Sequence, residues 1–311
     1  MANKKKQLVL GFNCAEGYER QALILLRSLR LFGGTMAEMP VWIFIPEGRQ
    51  LNPEAKQALS ELRVRFLSFP IDDSFAKFPF AMKTVAAAAA EKQTEEEDCI
   101  LAWHDRTGFI RQAPTAFLLP ENKSFGFRPT DIANIGAPFG KPIPPFWETI
   151  CAHFEIQPAM LPPIITAIDQ QKLHLYVNAG LLVVRPKKRI LRTWAAYLKQ
   201  TYHLPKFTSF YHQKQAYAIF LHQAALTAAV VNSTLQDERA ILPAQYLFSV
   251  DNFFDYPSKS RPESLDDIVT GRFHDFFALD NWEKLITASG ELIDWFKAQL
   301  KEGAYWPKKM I

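Results

Sequence analysis

The sequence predicts an α/β fold, a mixed but mostly parallel central sheet flanked by helices, and three observations carry that expectation. Apolar runs of strand length alternate with helical segments through the first third of the chain. The fourth of those runs, "CILAW" (99–103), is almost continuously apolar, as a parallel strand covered on both faces must be. Finally, 311 residues with 48% hydrophobic content are enough to bury a large core. No linker or internal repeat divides the chain, so residues 1–311 are read as a single domain.

Each element has its own local justification. "QLVLGF" (7–12) reads as the first strand, and "YERQALILLRSLRLFGG" as a helix that stops on Gly33-Gly34. "PVWIFIP" is the second strand, followed by the helix "NPEAKQALSEL" with Asn52 as cap and Pro53 at its first position. "VRFLSFP" is the third strand, and "MKTVAAAAAEKQ" is helical by its alanine content. Beyond residue 112 the pattern is less regular. "SFGFRPT" reads as a strand, a Pro-rich loop leads into a helix, and "LHLYVNAGLLVVRP" reads as one long strand interrupted at Asn178-Ala179-Gly180. Helices are expected over Lys187–Gln200 and in "QKQAYAIFLHQAALTAAVV", then a late strand in "DIVTGRFHDFF" and a terminal helix from Trp282.

Charge and cysteine usage narrow the partners. The net charge of +4 is spread along the chain apart from Lys4-Lys5-Lys6 and Lys187-Lys188, which argues against nucleic acid as a ligand. The apolar run Leu8-Val9-Leu10 after the basic start is too short for a secretory leader and suits a strand, and no stretch reaches membrane-spanning length. Three widely spaced cysteines make neither a disulfide framework nor a zinc spacing, so a reducing, cytoplasmic setting is expected. The Asn-x-Ser/Thr matches at Asn122 and Asn232 then carry no meaning.

The fourth strand ends abruptly in His104-Asp105-Arg106, and in such sheets ligands sit at the carboxyl ends of strands. In an extended segment the first and third residues share a side and the middle one points the other way. An arginine cannot bind a metal, yet pairs well with phosphate.

Several segments, in order, resemble nucleotide-sugar glycosyltransferases of the GT-A fold, especially the glycogenin-like family 8. "VNAGLLVVRP" with "RTWAAYL" is similar to that family's Asn-Ser-Gly, Arg-Pro and Trp segment. "FAMKTVAAAAAE" resembles the helix before the metal motif, and "CILAWHDRTGFI" the strand carrying Asp-x-Asp. "LHQAALTAAV" is similar to the Asp-Gln segment, and "RFHDFFALDNW" to the terminal His-to-Trp segment. The likeness runs from Leu8 to Trp282, and no single motif is intact.

The resemblance implies a GT-A-like domain with a nucleotide-binding half (1–112), a sugar and acceptor half (113–282) and a C-terminal helix (283–311). It also implies transfer of a sugar from a nucleoside diphosphate donor to an acceptor. The donor site would gather Phe12, Asn13, Lys83, His104, Asp105, Arg106, Ala179 and Gly180, with Asn178, His222 and Gln223 as the catalytic group and His274 as a metal ligand. The family's manganese or magnesium cofactor is disfavoured by the residues present. His104 and Arg106 stand for the two aspartates, His222 for the aspartate of Asp-Gln, Asp280 for the diphosphate-binding lysine and Phe277 for a glycine. The expectation is that His104 and Arg106 face the cleft, Asp105 faces away, and Arg106 replaces the cation.

Plainer readings stand beside these. His274 and His222 suit hydrogen-bonded structural histidines, Lys83 a helix-surface lysine, and Asn178-Ala179-Gly180 a strand bulge. An inactive GT-A-shaped binding protein is the alternative function. A nucleotidyltransferase is a third, against which the Asn-Ala-Gly strand speaks.

Overall fold

The computed structural model describes residues 7–301, so residues 302–311 of the expected terminal helix lie outside it, as does Lys4-Lys5-Lys6. In chain order the first half runs β1 (Leu8–Asn13), α1 (Glu19–Phe32), β2 (Val41–Pro46), α2 (Pro53–Glu61), β3 (Val64–Phe69), α3 (Asp73–Ala76), α4 (Ala81–Glu96), β4 (Ile100–His104), β5 (Gly108–Ile110) and β6 (Phe125–Pro129). The second half runs α5 (Pro145–His153), β7 (Pro163–Ile165), β8 (Lys172–His174), β9 (Val177–Val184), α6 (Ile190–Thr201), α7 (Pro205–Gln213), α8 (Gln215–Ser233), β10 (Arg239–Ile241), β11 (Phe248–Ser249), β12 (Thr270–Arg272) and α9 (Gly290–Lys301).

Seven strands form the central sheet in the order β10-β6-β9-β4-β1-β2-β3. All pairings are parallel except those of β9, which runs against both β4 and β6. The mixed, mostly parallel sheet flanked by helices is thus the architecture that the alternation of strands and helices announces. Leu101 and Trp103 of β4, with Val9 of β1, pack into the core shared with α4, α6 and α8. Ile100 and Ala102, with Leu8, Leu10 and Phe12, pack into the core shared with α1. This alternation explains why the strands read as continuous apolar runs: each face is buried under a different helix layer.

Local chemistry sets several element ends. Asn52 Oδ1 accepts from the amides of Glu54 and Ala55, and Pro53 opens α2, as expected. The fully buried Glu91 of α4 accepts from the amides of Leu191 and Arg192, so one carboxylate caps α6 and ties it to α4. That cap begins the helix at Ile190 rather than Lys187, after a 3₁₀ turn over Pro186–Lys188.

Three expected elements are shorter than predicted. The long strand splits, Lys172–His174 pairing with β7 in a hairpin of its own while β9 begins at Val177. The late strand is only Thr270–Arg272, which lies between β11 and β5 in a second, three-stranded sheet. The terminal helix begins at Gly290, Trp282–Lys284 being a separate 3₁₀ turn. In the last case Ser289, bonded to Asp266 through its amide and hydroxyl, accepts from the Leu292 amide and opens α9 there.

The three-stranded sheet positions the site. Arg272 pairs opposite Gly108 and Gly271 opposite Phe109, and the Phe273 amide donates to the Thr107 carbonyl. The segment from Arg272 to Asp275 is thereby carried to the end of β4. A Cβ on Gly271 would fall 2.2 Å from the Phe109 ring, so this close pairing requires glycine there.

Candidate functional site

A cavity of about 400 Å³ opens at the sheet edge where β4 and β6 end and β9 begins. Its charged lining is Lys83, Asp105, Asp131, Arg272 and Asp275, joined by His222 and His274. Thr130, Asn134, Asn178, Gln223 and Asn252 supply the remaining polar side chains, and Ala179 and Gly180 complete that wall. The position agrees with the rule that ligands of open α/β sheets bind beyond the carboxyl ends of parallel strands.

The triplet that ends β4 is arranged opposite to expectation. Alternation does hold, with His104 and Arg106 on one side and Asp105 on the other, but the cavity lies on the side of Asp105. His104, almost fully buried, folds back so that Nδ1 is 2.8 Å from the Asp105 carbonyl, and burial lowers its pKa. The Arg106 guanidinium lies 3.8 Å from the centre of the Tyr18 ring, at the start of α1. Neither residue lines the cavity. The physical reason is the layer order: residues 100, 102 and 104 share the α1 face, whereas the cavity sits under α4 and α8. Phe12 is buried in the α1-side core and Asn13 is buried at the end of β1, so both are also absent from the lining.

Asp105 is held at both its amide and its carboxylate. Its amide donates to the Gly180 carbonyl at 2.8 Å, and Oδ1 lies 2.5 Å from Lys83 Nζ. Burial pushes its pKa up, but the Lys83 ammonium, helped by Arg272 and His274, outweighs burial and brings it below the usual aspartate value. Lys83 is 7% exposed, and so is not a surface lysine.

A second pair is not among the residues that the sequence singles out. Arg272 donates to Asp131 Oδ2 at 2.8 Å, and Asp131 also accepts from Asn178 Nδ2 at 3.3 Å and from the Tyr256 hydroxyl at 3.4 Å. Burial raises the Asp131 carboxyl against the opposing pull of Arg272 and Arg128. One signal pointed to it. "FRPTD" ends β6, whose carboxyl end lies at the same sheet edge as that of β4, so the strand-end rule covers Asp131 as well as Asp105.

Asn178, Ala179 and Gly180 enter the cavity wall through a bulge. Phe127 pairs with Leu182 but Arg128 already pairs with Asn178, so residues 179–181 have no partner on β6. The Asn178 Oδ1 accepts from the Gly180 amide at 3.0 Å and fixes the bulge. The bulge and the sugar-site readings therefore describe the same residues.

His222 lies on α8, 2% exposed, with Nδ1 2.7 Å from the Ile219 carbonyl and its ring stacked on Phe80 at 4.1 Å. Burial and the neighbouring Lys83 lower its pKa to about 3, so it is neutral near pH 7. His274 is solvent-accessible with φ +34°. Crowding by the surrounding protein and the charge of Arg272 lower its pKa to about 4. Thr130 Oγ1 and Gln223 Oε1 are buried polar atoms with no protein partner.

The donor set does not fit a divalent metal. Hard cations need several carboxylate or other oxygen ligands. Here Asp105 is neutralised by Lys83 and Asp131 by Arg272, and no group of three His, Cys, Asp or Glu side chains among the described residues is placed to hold an ion.

The family model of the Rhodobacterales glycosyltransferase domain matches residues 14–233, more than half of the chain. The chain belongs to the Rhodobacterales glycosyltransferase family. The match spans Lys83, Asp105, Asn178 and His222 of this glycosyltransferase, and leaves Arg272 and His274 outside it. The fold resembles the apo structure of the bifunctional glycosyltransferase WbbM, with TM-score 0.53 and 13% identity over 98% of this chain. This chain spans about half, 51%, of that protein. It also resembles the crystal structure of an active-site mutant of LgtC, with TM-score 0.50 and 12% identity, covering 90% of this chain and 93% of that one. No curated protein matches the sequence. The GT-A-like architecture expected from the collinear segments is thus found, and sugar transfer is the chemistry of the family. Among the described residues no helix is long and apolar enough to cross a membrane.

Proposed function

We propose that this glycosyltransferase takes a nucleoside diphosphate sugar as donor and uses Lys83 and Arg272, rather than Arg106, to offset the diphosphate charge without a metal. The observation that carries this reading is the convergence of Lys83, Asp105, Asn178, Gly180, His222, Gln223 and His274 on one cavity. Those residues lie on five different segments, and the family resemblance names each of them, Asn178, His222 and Gln223 as the catalytic group, His274 as a metal ligand and the others as donor-binding, although it expected Asp105 to face away. Lys83 Nζ has Asp105 as its hydrogen-bonding partner, which leaves ammonium protons for a phosphate oxygen. Arg272 keeps a buried Nε without a partner. The unpartnered Thr130 and Gln223 oxygens suit the hydroxyls of a sugar, since buried polar atoms are otherwise satisfied within the protein. Asn178 and Gln223 would orient the sugar, with His222 held neutral behind them. A cytoplasmic setting belongs to the same proposal, and its support is that Cys14, Cys99 and Cys151 are all buried thiols outside any disulfide.

One observation favours the second reading, binding without transfer: two of the three carboxylates that line the cavity, Asp105 and Asp131, are already paired with cations, which leaves the exposed Asp275 as the carboxylate to act as base or nucleophile. Titration calorimetry with a panel of nucleoside diphosphates and their sugars, followed by mass spectrometry for released nucleotide, separates the two. Binding of one nucleotide series with sugar release supports transfer. Binding without release selects the second reading, and no binding by any nucleotide rejects the donor class.

A further inference from the structure

Phe80 violates three local rules at once. Its φ of +62° places a bulky side chain in the left-handed region, where such residues are rare and strained. It occupies the N-cap of α4, where Ser, Thr, Asp or Asn would satisfy an open amide, and it makes no side-chain cap. It is also 45% exposed, a large aromatic left in contact with water. Sequences that break several local preferences at one position tend to do so for function.

The surroundings show which surface the strain presents. The Phe80 ring stacks on the imidazole of His222 with 24° between planes, and Lys83 Nζ lies 5.8 Å from its centroid. The ring stands in the cavity wall together with Ile132, itself 41% exposed, and the half-buried Ile219 and Phe220. Lys83 and Asn178, by contrast, are buried. The cavity therefore has a buried polar interior and an exposed apolar border. That combination suits a ligand that is polar on its edges and apolar on one face, as a pyranose ring is, its ring C–H groups forming the apolar face.

We infer that Phe80 is a platform for the sugar ring of the ligand, a specificity-determining contact for a hexopyranose whose hydroxyls meet the unpartnered Thr130 and Gln223. The inference rests on the proposed sugar-transfer reading for the class of ligand, and on the geometry of Phe80 for the residue. A nucleobase is the rival occupant of an aromatic face. The unpartnered Thr130 and Gln223 oxygens in the same cavity favour the sugar.

The test compares wild type with Phe80→Asn, which supplies a cap and tolerates the left-handed region, and with Phe80→Trp, which keeps an aromatic face. The probes are uridine and guanosine diphosphates with and without an attached hexose, measured by titration calorimetry, and free methyl hexopyranosides, measured by saturation-transfer NMR. Phe80→Asn is expected to raise the apo melting temperature by roughly 2–4 °C. It is expected to weaken the hexose-bearing nucleotide about 5- to 10-fold while leaving the bare nucleotide unchanged, with Phe80→Trp close to wild type. Equal weakening of the bare nucleotide assigns the ring to the base and overturns the inference, as does unchanged affinity for every probe. If no nucleotide binds wild type, the donor reading fails and the glycosides decide. Saturation transfer to the pyranose ring protons that Phe80→Asn abolishes upholds the platform, and no transfer on wild type rejects it.

Discussion

Asp105 Oδ1 lies 2.5 Å from Lys83 Nζ, so this carboxylate of the cavity already holds a cation that belongs to the chain. An ion ligated by the same carboxylate would sit about 5 Å from the ammonium, and at an effective dielectric near 20 the repulsion is roughly 7 kcal/mol for a divalent charge. Ligand affinity is therefore expected to change by less than about twofold between EDTA and millimolar manganese in titration calorimetry. A tenfold gain with manganese would show that Lys83 moves aside for the metal.

The same pair governs stability. Removing one member of a buried ion pair leaves the other charge without compensation, at a cost of about 3–5 kcal/mol. Asp105→Ala should therefore lower the free energy of unfolding by about 3 kcal/mol in urea denaturation. The double variant Lys83→Met with Asp105→Ala should recover much of that loss, because no charge is then left buried. Equal losses for single and double variants would mean that the pair is not coupled.

Acid should weaken the fold through His222. Its folded pKa of about 3 lies far below the ordinary histidine value, because burial disfavours the imidazolium. Above about pH 6.5 both folded and unfolded states carry neutral imidazole, and the contribution is complete. As pH falls below that value only the unfolded chain takes up the proton, so stability drops until the folded pKa is reached. The expected loss from this group is about 2 kcal/mol at pH 5. His222→Leu should flatten the slope of stability between pH 7 and pH 5, and an unchanged slope would remove His222 as the cause.

The layers of the fold were legible because both faces of the sheet are apolar. Val9, Leu101 and Trp103 face one helix layer, and Leu8, Leu10, Ile100 and Ala102 the other. That same symmetry concealed the orientation of the triplet. A period of two states that His104 and Arg106 share a side, but when both sides are buried it does not state which one borders the cavity. Lys83, Asn178, His222, Gln223 and His274 were found because the family segments name them individually. Arg272 and Asp131 come from β12 and the end of β6, and their pairing arises only from the way two sheets meet. Phe80 left a trace, a Phe where a helix cap belongs, that an alanine-rich helix made easy to overlook.

Gly108 supplies the last prediction, because it decides where His104 can go. A Cβ on Gly108 would fall 2.2 Å from His104 Cε1 and 2.7 Å from Nδ1, with the Gly271 carbonyl at 3.1 Å. The imidazole cannot simply swing away, since Nδ1 is bonded to the Asp105 carbonyl and the ring is enclosed. Gly108→Ala must therefore shift either β5, and with it the partner strand that carries Arg272, or the His104-Asp105 backbone, and with it the Asp105 pairing to Lys83. Overpacking of this kind costs about 1–3 kcal/mol, and here the strain is delivered to both ion pairs of the cavity. Unfolding by urea should show a loss of about 2 kcal/mol, and the affinity for whichever nucleotide binds wild type should fall with it. His104→Ala in the same chain removes the side chain that the new methyl meets, so the double variant should be more stable than the sum of the two single losses. Simple additivity of the two substitutions would show that the clash is not with His104 and would place the constraint at the Gly271 backbone instead.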